Sequence, residues 1–199
     1  MSKIHETVHL GKDIKLGSEV SIWEYSKIEN GVSIGSNSKI GRNVYIGDYV
    51  EIGINCKIQN NSLIYSPSEI SDGVFIGPGV ILTNDKNPRA TNELGTLKKS
   101  ENWVQSKIKI EKGASIGAGA VCVAPITVGQ WSVTGAGAVI TTNVPDFALM
   151  VGVPARQIGW VCKCGYRLEQ SSERMYTCSK EGSNYEIQND GLMRERVSL

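Results

Sequence analysis

The run Ser33-Ile34-Gly35-Ser36-Asn37-Ser38-Lys39-Ile40-Gly41-Arg42-Asn43-Val44-Tyr45-Ile46-Gly47-Asp48 repeats its pattern at every sixth position. Followed outward in both directions, the spacing places an isoleucine or leucine at 4, 10, 16, 22, 28, 34, 40, 46, 52, 58, 64, 70, 76 and 82, without a gap. Two places before each, from Val8 to Val80, stands only Val, Ile, Ser or Cys. Gly or Asn takes the third place after many of them: Gly31, Asn37, Asn43, Asn55, Asn61, Gly73 and Gly79. A period of six belongs neither to a helix nor to a plain alternating strand. It is a short strand plus a corner. A large aliphatic and a smaller residue two places away share one side of an extended segment, and Gly or Asn tolerates the positive φ of a sharp turn. The spacing predicts an all-β fold, a parallel β-helix with Ile, Leu and Val along its axis. Burying one isoleucine does not offset the ordering of a whole hexad's backbone, so each repeat must stack on neighbours.

Composition bounds the rest. A chain of 199 residues accommodates one sizeable domain and a small appendage. A net charge of +1 without a Lys/Arg block argues against nucleic acid as a partner. No apolar run is long enough for a membrane span, and Met-Ser-Lys-Ile-His-Glu lacks the apolar core of a signal peptide. The five cysteines are an odd number, and Cys56 and Cys122 fall on inward places of the hexad. A disulfide framework is therefore not expected, and the cytoplasm is the expected compartment.

Glycine usually follows the aliphatic, but Trp23, Glu29, Gln59, Tyr65, Ser71 and Thr83 replace it in places. Gln59, Asn60 and Asn61 form a polar cluster, open to two readings: a ladder of corner amides or contacts to a ligand. The register breaks after Leu82. The next aliphatic in frame, Ile110, stands beyond a polar stretch containing Pro88, at a distance that is not a multiple of six. An insertion of this length is read as functional, an extruded loop over residues 83–107. The coil resumes at Ile108 and Ile110 and continues through Ile116, Cys122, Val128, Thr134 and Ile140, with Gly-Ala-Gly-Ala at 117–120 and again at 135–138. Side chains this small admit another molecule to the backbone, or suit tight packing between chains. Residues 1–160 read as the β-helix domain and 161–199 as a small C-terminal extension.

These hexads, with Val144-Pro145-Asp146 and Gly152-Val153-Pro154-Ala155-Arg156 at the exit, make the chain resemble the hexapeptide-repeat acyltransferases over about residues 10–160. Members of that family are left-handed parallel β-helices, usually homotrimers, that use acetyl-coenzyme A. Within it the chain is most similar to N-acetyltransferases of nucleotide-linked 3-amino sugars. That likeness rests on Lys57-Ile58-Gln59-Asn60-Asn61, Val74-Phe75-Ile76-Gly77-Pro78, Thr83-Asn84, Asn87-Pro88-Arg89, and Ala155-Arg156-Gln157-Ile158-Gly159-Trp160-Val161-Cys162-Lys163-Cys164-Gly165. The resemblance implies UDP-2-acetamido-3-amino-2,3-dideoxyglucuronate as acceptor, in surface polysaccharide (O-antigen) synthesis. Alternatives are a dTDP-linked 3-amino-3,6-dideoxyhexose, O-acetylation of a sugar or serine, and a non-catalytic structural β-helix.

The residues bear on the acceptor directly. Acyl transfer to a hydroxyl needs a positioned base, yet no histidine follows His9. An unprotonated amine is already a nucleophile, so an amino acceptor fits better unless His5 or His9 reaches a neighbouring subunit's site. By resemblance, Asn84 is the central polar residue beside the sugar amine; it orients, and Asp85 is the adjacent group able to take a proton. Gln59, Asn60, Asn84, Asn87 and Arg89 are the candidate substrate contacts. Arg89 either pairs with a carboxylate or diphosphate or anchors the loop on Asp85 or Glu93. Backbone N–H groups near Gly117 and Ala118 are expected to stabilise the oxyanion. Gly135, Ala136 and Arg156 follow by resemblance as coenzyme A contacts, in a groove between two subunits.

In the extension, Cys162-Lys163-Cys164-Gly165 and Cys178-Ser179-Lys180-Glu181-Gly182 look like a metal knuckle with Glu181 where a fourth sulfur would stand. Closed zinc sites normally take four Cys or His ligands. The expectation is accordingly no bound metal, and a small β element packed against the coil end.

Overall fold

The hexads fold into short strands joined by turns. In the computed structural model, which describes residues 2–99 and 102–196, Ile22, Ile40, Ile58 and Ile76 lie over one another in parallel register, so that three hexads make one full turn of the coil. Three such sheets form the faces of a prism, with nine, seven and six strands among the described residues, parallel throughout except for the last strand of the nine. The aliphatics from Ile22 to Leu82 and from Ile108 to Ile140 fill its axis and are buried. Ser26, Ser38 and Ser62, at the small inward positions, are buried as well. Their hydroxyls donate to the carbonyls of Gly41, Gly53 and Gly77 at 2.8, 2.8 and 3.0 Å, which satisfies them without water.

Two expectations need amendment. Ile4 and Leu10 keep the register but are 40% and 38% exposed, because no coil lies beneath the first turn to cover them. The corners do hold Asn37, Asn43, Asn55 and Asn61 at φ between 53° and 62°, yet Tyr25, Tyr49 and Trp131 adopt the same conformation at 59°, 57° and 56°. Stacking on adjacent coils imposes the corner even where the side chain disfavours it by about 1–2 kcal/mol.

The insertion leaves the stack intact. Glu69 pairs with Glu51 on the preceding turn and with Lys109 beyond the insertion, so the extra length of chain is extruded from one corner. Residues 100–101 of this arm, and 197–199 of the extension, lie outside the described residues. The final coil is shorter than three hexads, since Thr134 pairs with Met150. The chain then reverses as an antiparallel hairpin, Ala148–Gly152 with Ala155–Trp160. Beyond it, Glu169–Gln170, Met175–Thr177, Asn184–Ile187 and Met193–Arg196 form a four-stranded antiparallel sheet. Its small core of Leu168, Cys178, Tyr185 and Met193 packs on Phe147, Trp131 and Trp160 of the coil end. No helix of the described residues is long and apolar enough to cross a membrane.

Candidate active site

Strand register places the candidate residues along the prism edges. Lys57 pairs with Phe75, Phe75 with Ser115, Ser115 with Val133 and Val133 with Leu149. Gln59, Gly77, Gly117, Gly135 and Val151 therefore form one column down a single edge. Arg156 is paired with Val151 in the closing hairpin and stands at the column's end. The column from Gln59 to Gly135 crosses three coils, about 14 Å at the usual spacing of parallel strands. Gln59, Asn60, Gly117, Ala118, Gly135, Ala136 and Arg156 thus share one line.

The glycines of this line have a structural cause. A Cβ on Gly117 would lie 2.5 Å from the Ala136 nitrogen and the Gly135 carbonyl carbon, and one on Gly77 would lie 2.7 Å from the Ala118 nitrogen. The next coil passes too close for any side chain. The oxyanion expectation also changes. The Gly117 N–H donates to the Thr134 carbonyl at 2.9 Å and the Gly135 N–H to the Met150 carbonyl at 2.7 Å, so ladder bonds occupy both. The N–H groups of Ala118 and Ala136 are different. Both residues are exposed, and neither N–H donates to any described protein group. At the same corner three coils before Ala118, the Arg42 N–H is capped by the Asn60 side-chain oxygen at 3.0 Å; Ala136 offers Ala118 no such acceptor.

That bond settles the reading of part of the amide cluster. Asn60 caps Arg42 and Asn61 accepts from the Asn43 side chain at 2.9 Å, so both belong to corner ladders. The Gln59 side chain makes no hydrogen bond among the described residues. It lines a groove of about 350 Å³ with Trp23, Lys39, Arg42 and Lys57. Glu24 is the one acid there, against three cations.

Asn84 lies elsewhere. It follows Leu82, which pairs with Ile64 and Cys122 on the adjacent face, so it stands on the next edge of the prism. Its side-chain amide donates to the Ser66 carbonyl at 2.7 Å, and its Oδ1 receives no donor among the described residues. Asp85 Oδ1 accepts the Asn87 N–H at 2.8 Å in a local turn. Arg89 donates only to the Pro88 carbonyl, at 3.0 Å, and among the described residues pairs with neither Asp85 nor Glu93. The anchoring alternative for Arg89 is thereby removed. With Asn92, Glu93 and Lys98 it lines a cleft of about 760 Å³ on the arm.

Within one chain, then, a whole face separates the edge carrying Asn84, Asn87 and Arg89 from the edge carrying the other candidates. His5 follows Ile4, on the edge of Gln59 but three coils away, and His9 lies in the first rung of the adjacent face. Sequence reading missed Lys98 and Ser66. A second cation in the polar insertion signalled Lys98, and stepping back one full turn of the coil from Asn84 would have found Ser66.

Comparison with known proteins agrees with this architecture. The chain matches "Bacterial transferase hexapeptide (six repeats)" over residues 25–53 and "Hexapeptide repeat of succinyl-transferase" over residues 107–142. It is 48% identical over 60 residues to a dTDP-3-amino-3,6-dideoxy-alpha-D-galactopyranose 3-N-acetyltransferase of Aneurinibacillus thermoaerophilus, covering 30% of this chain and 31% of that one. A serine acetyltransferase of Buchnera aphidicola is 35% identical over 99 residues, 50% of this chain and 38% of that one. The chain thus spans about a third of the length of these curated relatives. Among solved structures, AntD, an N-acyltransferase from Bacillus cereus in complex with dTDP and coenzyme A, superposes with TM-score 0.64 at 23% identity, over 73% of this chain and 83% of that one. A hexapeptide transferase family protein from Anaplasma phagocytophilum gives 0.61 at 19%, over 79% and 87%. At these identities the likeness to the solved structures is one of fold. With its parallel solenoid and extruded arm, the chain thus carries transferase-type hexapeptide repeats over residues 25–53 and 107–142.

Proposed function

We propose that the protein is an acetyl-coenzyme A-dependent N-acetyltransferase acting on the 3-amino group of a nucleotide-linked sugar. In this reading it works as a homotrimer with each site between two chains. The observation that carries the proposal is the column ending at Arg156 with the unpaired N–H groups of Ala118 and Ala136. Pantetheine carries amide carbonyls beyond its thioester, so with Ala118 facing the thioester carbonyl the exposed Ala136 donor, one coil on, suits an amide carbonyl of the arm. Arg156, without an ion pair among the described residues, would meet the coenzyme's phosphates.

The split between two edges supports the oligomer. Asn84 and Arg89 of one chain would complete the column of its neighbour. Leu94, Leu97 and Val104 on the arm are 90%, 73% and 87% exposed, which suits an arm covered by a second copy. Lys39, Arg42 and Lys57 beside Gln59 give a diphosphate a basic wall.

In the reaction, the sugar amine attacks the thioester carbonyl carbon. A C–N bond forms, the C–S bond breaks, and coenzyme A leaves as the thiol after taking up a proton. Asn84 Oδ1 accepts one amine N–H and aims the nitrogen lone pair, and Asp85 is the adjacent group able to receive the other proton. The Ala118 N–H meets the developing oxyanion.

For the acceptor we infer a UDP-linked 3-amino-glucuronate, with the unpaired Arg89 facing the sugar carboxylate. The short match to a dTDP-3-amino sugar acetyltransferase favours a dTDP-linked 3-amino-3,6-dideoxyhexose as the second reading. Thiol release from acetyl-coenzyme A, followed across a panel of UDP- and dTDP-linked 3-amino sugars and their 3-hydroxy counterparts, tests both. Turnover with an amino sugar alone supports the proposal; turnover only with hydroxy acceptors, or none, overturns it.

A further inference from the structure

The three cysteines of the extension converge, although the sequence predicts no metal there. Cys162 and Cys164 lie on one turn, closed by the Gly165 N–H donating to the Cys162 carbonyl at 2.8 Å and flanked by the Val161–Arg167 bridge. Cys178 lies on a second turn, closed by the Gly182 N–H donating to its carbonyl at 2.8 Å, between the paired Thr177 and Asn184. Gly165 and Gly182 have φ of 87° and 69°, so both hairpin tips reverse sharply. The tips face one another. All three Sγ atoms lie within 4.8 Å of each other, and those of Cys164 and Cys178 are 3.6 Å apart.

That spacing discriminates between chemistries. A disulfide requires about 2.05 Å between sulfurs, whereas a tetrahedral ion with Zn–S bonds of about 2.3 Å holds them about 3.8 Å apart. Cys162 Sγ receives the Cys164 N–H at 3.4 Å and the Tyr185 hydroxyl at 3.3 Å. Donors of this kind orient and hold metal ligands.

Size supplies an independent reason. The four-stranded sheet shares a core of six buried residues with the coil end, and cores this small usually rely on a metal, a disulfide or a partner. Two of the six buried residues in this core, Cys162 and Cys178, are themselves ligand candidates.

We propose that Cys162, Cys164 and Cys178 bind one structural zinc ion; Glu181, exposed on the Cys178 turn and outside the sulfur cluster, completes the set only once its carboxylate turns inward. The thiol protons leave to solvent as three Zn–S bonds form. The ion would clamp the two hairpins to each other beside Phe147 at the coil end. This proposal is independent of the acyltransferase reading.

The test uses the full chain, purified without added metal. Elemental analysis should find about one zinc per chain, released by a mercurial thiol reagent and absent from Cys164→Ser. Cobalt(II) added to the metal-stripped wild type should give thiolate-to-metal charge-transfer bands, a readout that does not depend on the variant folding. Glu181→Gln should weaken cobalt binding at least about 10-fold; unchanged binding overturns the fourth-ligand assignment. Absence of zinc with no cobalt–thiolate bands, or a Cys164–Cys178 disulfide in freshly prepared protein, overturns the site.

Discussion

The side chain of Asn84 donates to the Ser66 carbonyl at 2.7 Å, and its backbone carbonyl accepts the Ser106 N–H at 2.8 Å. One asparagine thereby ties both feet of the extruded arm to the coil. Replacing it by alanine removes the side-chain anchor and the amine acceptor together. Asn84→Ala should lose about 1 kcal/mol of stability and lower kcat about 10–100-fold. Asn84→Asp keeps the size but sets a carboxylate oxygen against the Ser66 carbonyl, so its Tm should fall below that of Asn84→Ala. Thermal unfolding and single-turnover thiol release measure the two effects separately.

The corner one coil before Gly117-Ala118 is Gly77-Pro78, in the same column. Proline is therefore accommodated at this backbone position, and Ala118→Pro deletes the unpaired N–H with little disturbance. The expected result is an unchanged Tm, with catalytic efficiency for acetyl-coenzyme A reduced about 10-fold, the worth of one hydrogen bond. Steady-state kinetics on the purified variant checks it, and unaltered efficiency would remove the backbone donor from the mechanism.

Two impaired variants should complement each other. If Asn84 of one chain completes the column of another, mixed trimers of Asn84→Ala and Ala118→Pro contain some sites with both native residues. Random equal mixing leaves about a quarter of the sites intact. Co-refolded mixtures should then exceed the sum of the separate activities, whereas a site built within one chain predicts no gain.

Arg89 holds no structural bond beyond the Pro88 carbonyl. Arg89→Ala should leave Tm unchanged and raise KM for the nucleotide sugar about 10–100-fold, while KM for acetyl-coenzyme A stays put. Arg89→Lys should recover only part of the loss, because a point charge does not reproduce the planar fork.

Burial pushes the Cys122 thiol from 9.0 up to about 12, and burial also raises Cys56. At about pH 8 the Cys122 thiolate is depleted roughly 1,000-fold relative to an ordinary cysteine. Neither axial thiol should alkylate in the native protein, as mass spectrometry after brief iodoacetamide treatment would read. The sign of the linkage follows. A group with a raised folded-state pKa contributes its stability below the unfolded value and loses it above. The coil should thus become less stable as pH rises from about 9 toward 12, a decline that Cys122→Ala reduces.

What the chain's order of residues determined by itself was the coil. Hexad periodicity is a local property: Ile34, Ile40 and Ile46 must point inward wherever the strand-and-corner unit repeats, and Asn37 or Asn43 must turn the corner. Exit of the arm at Thr83 and resumption at Ile108 are equally visible, because a break in period marks itself. Tertiary structure alone decided which residues meet. Gln59 and Asn84 look like parts of one polar set in the sequence, yet successive corners belong to different edges of a prism. The Gly117 N–H reads as available beside an alanine, but the strand of the next coil takes it. Cys164 and Cys178 are brought together by two hairpins packing on Phe147, a long-range event that the knuckle-like spacing around each cysteine suggested but could not decide.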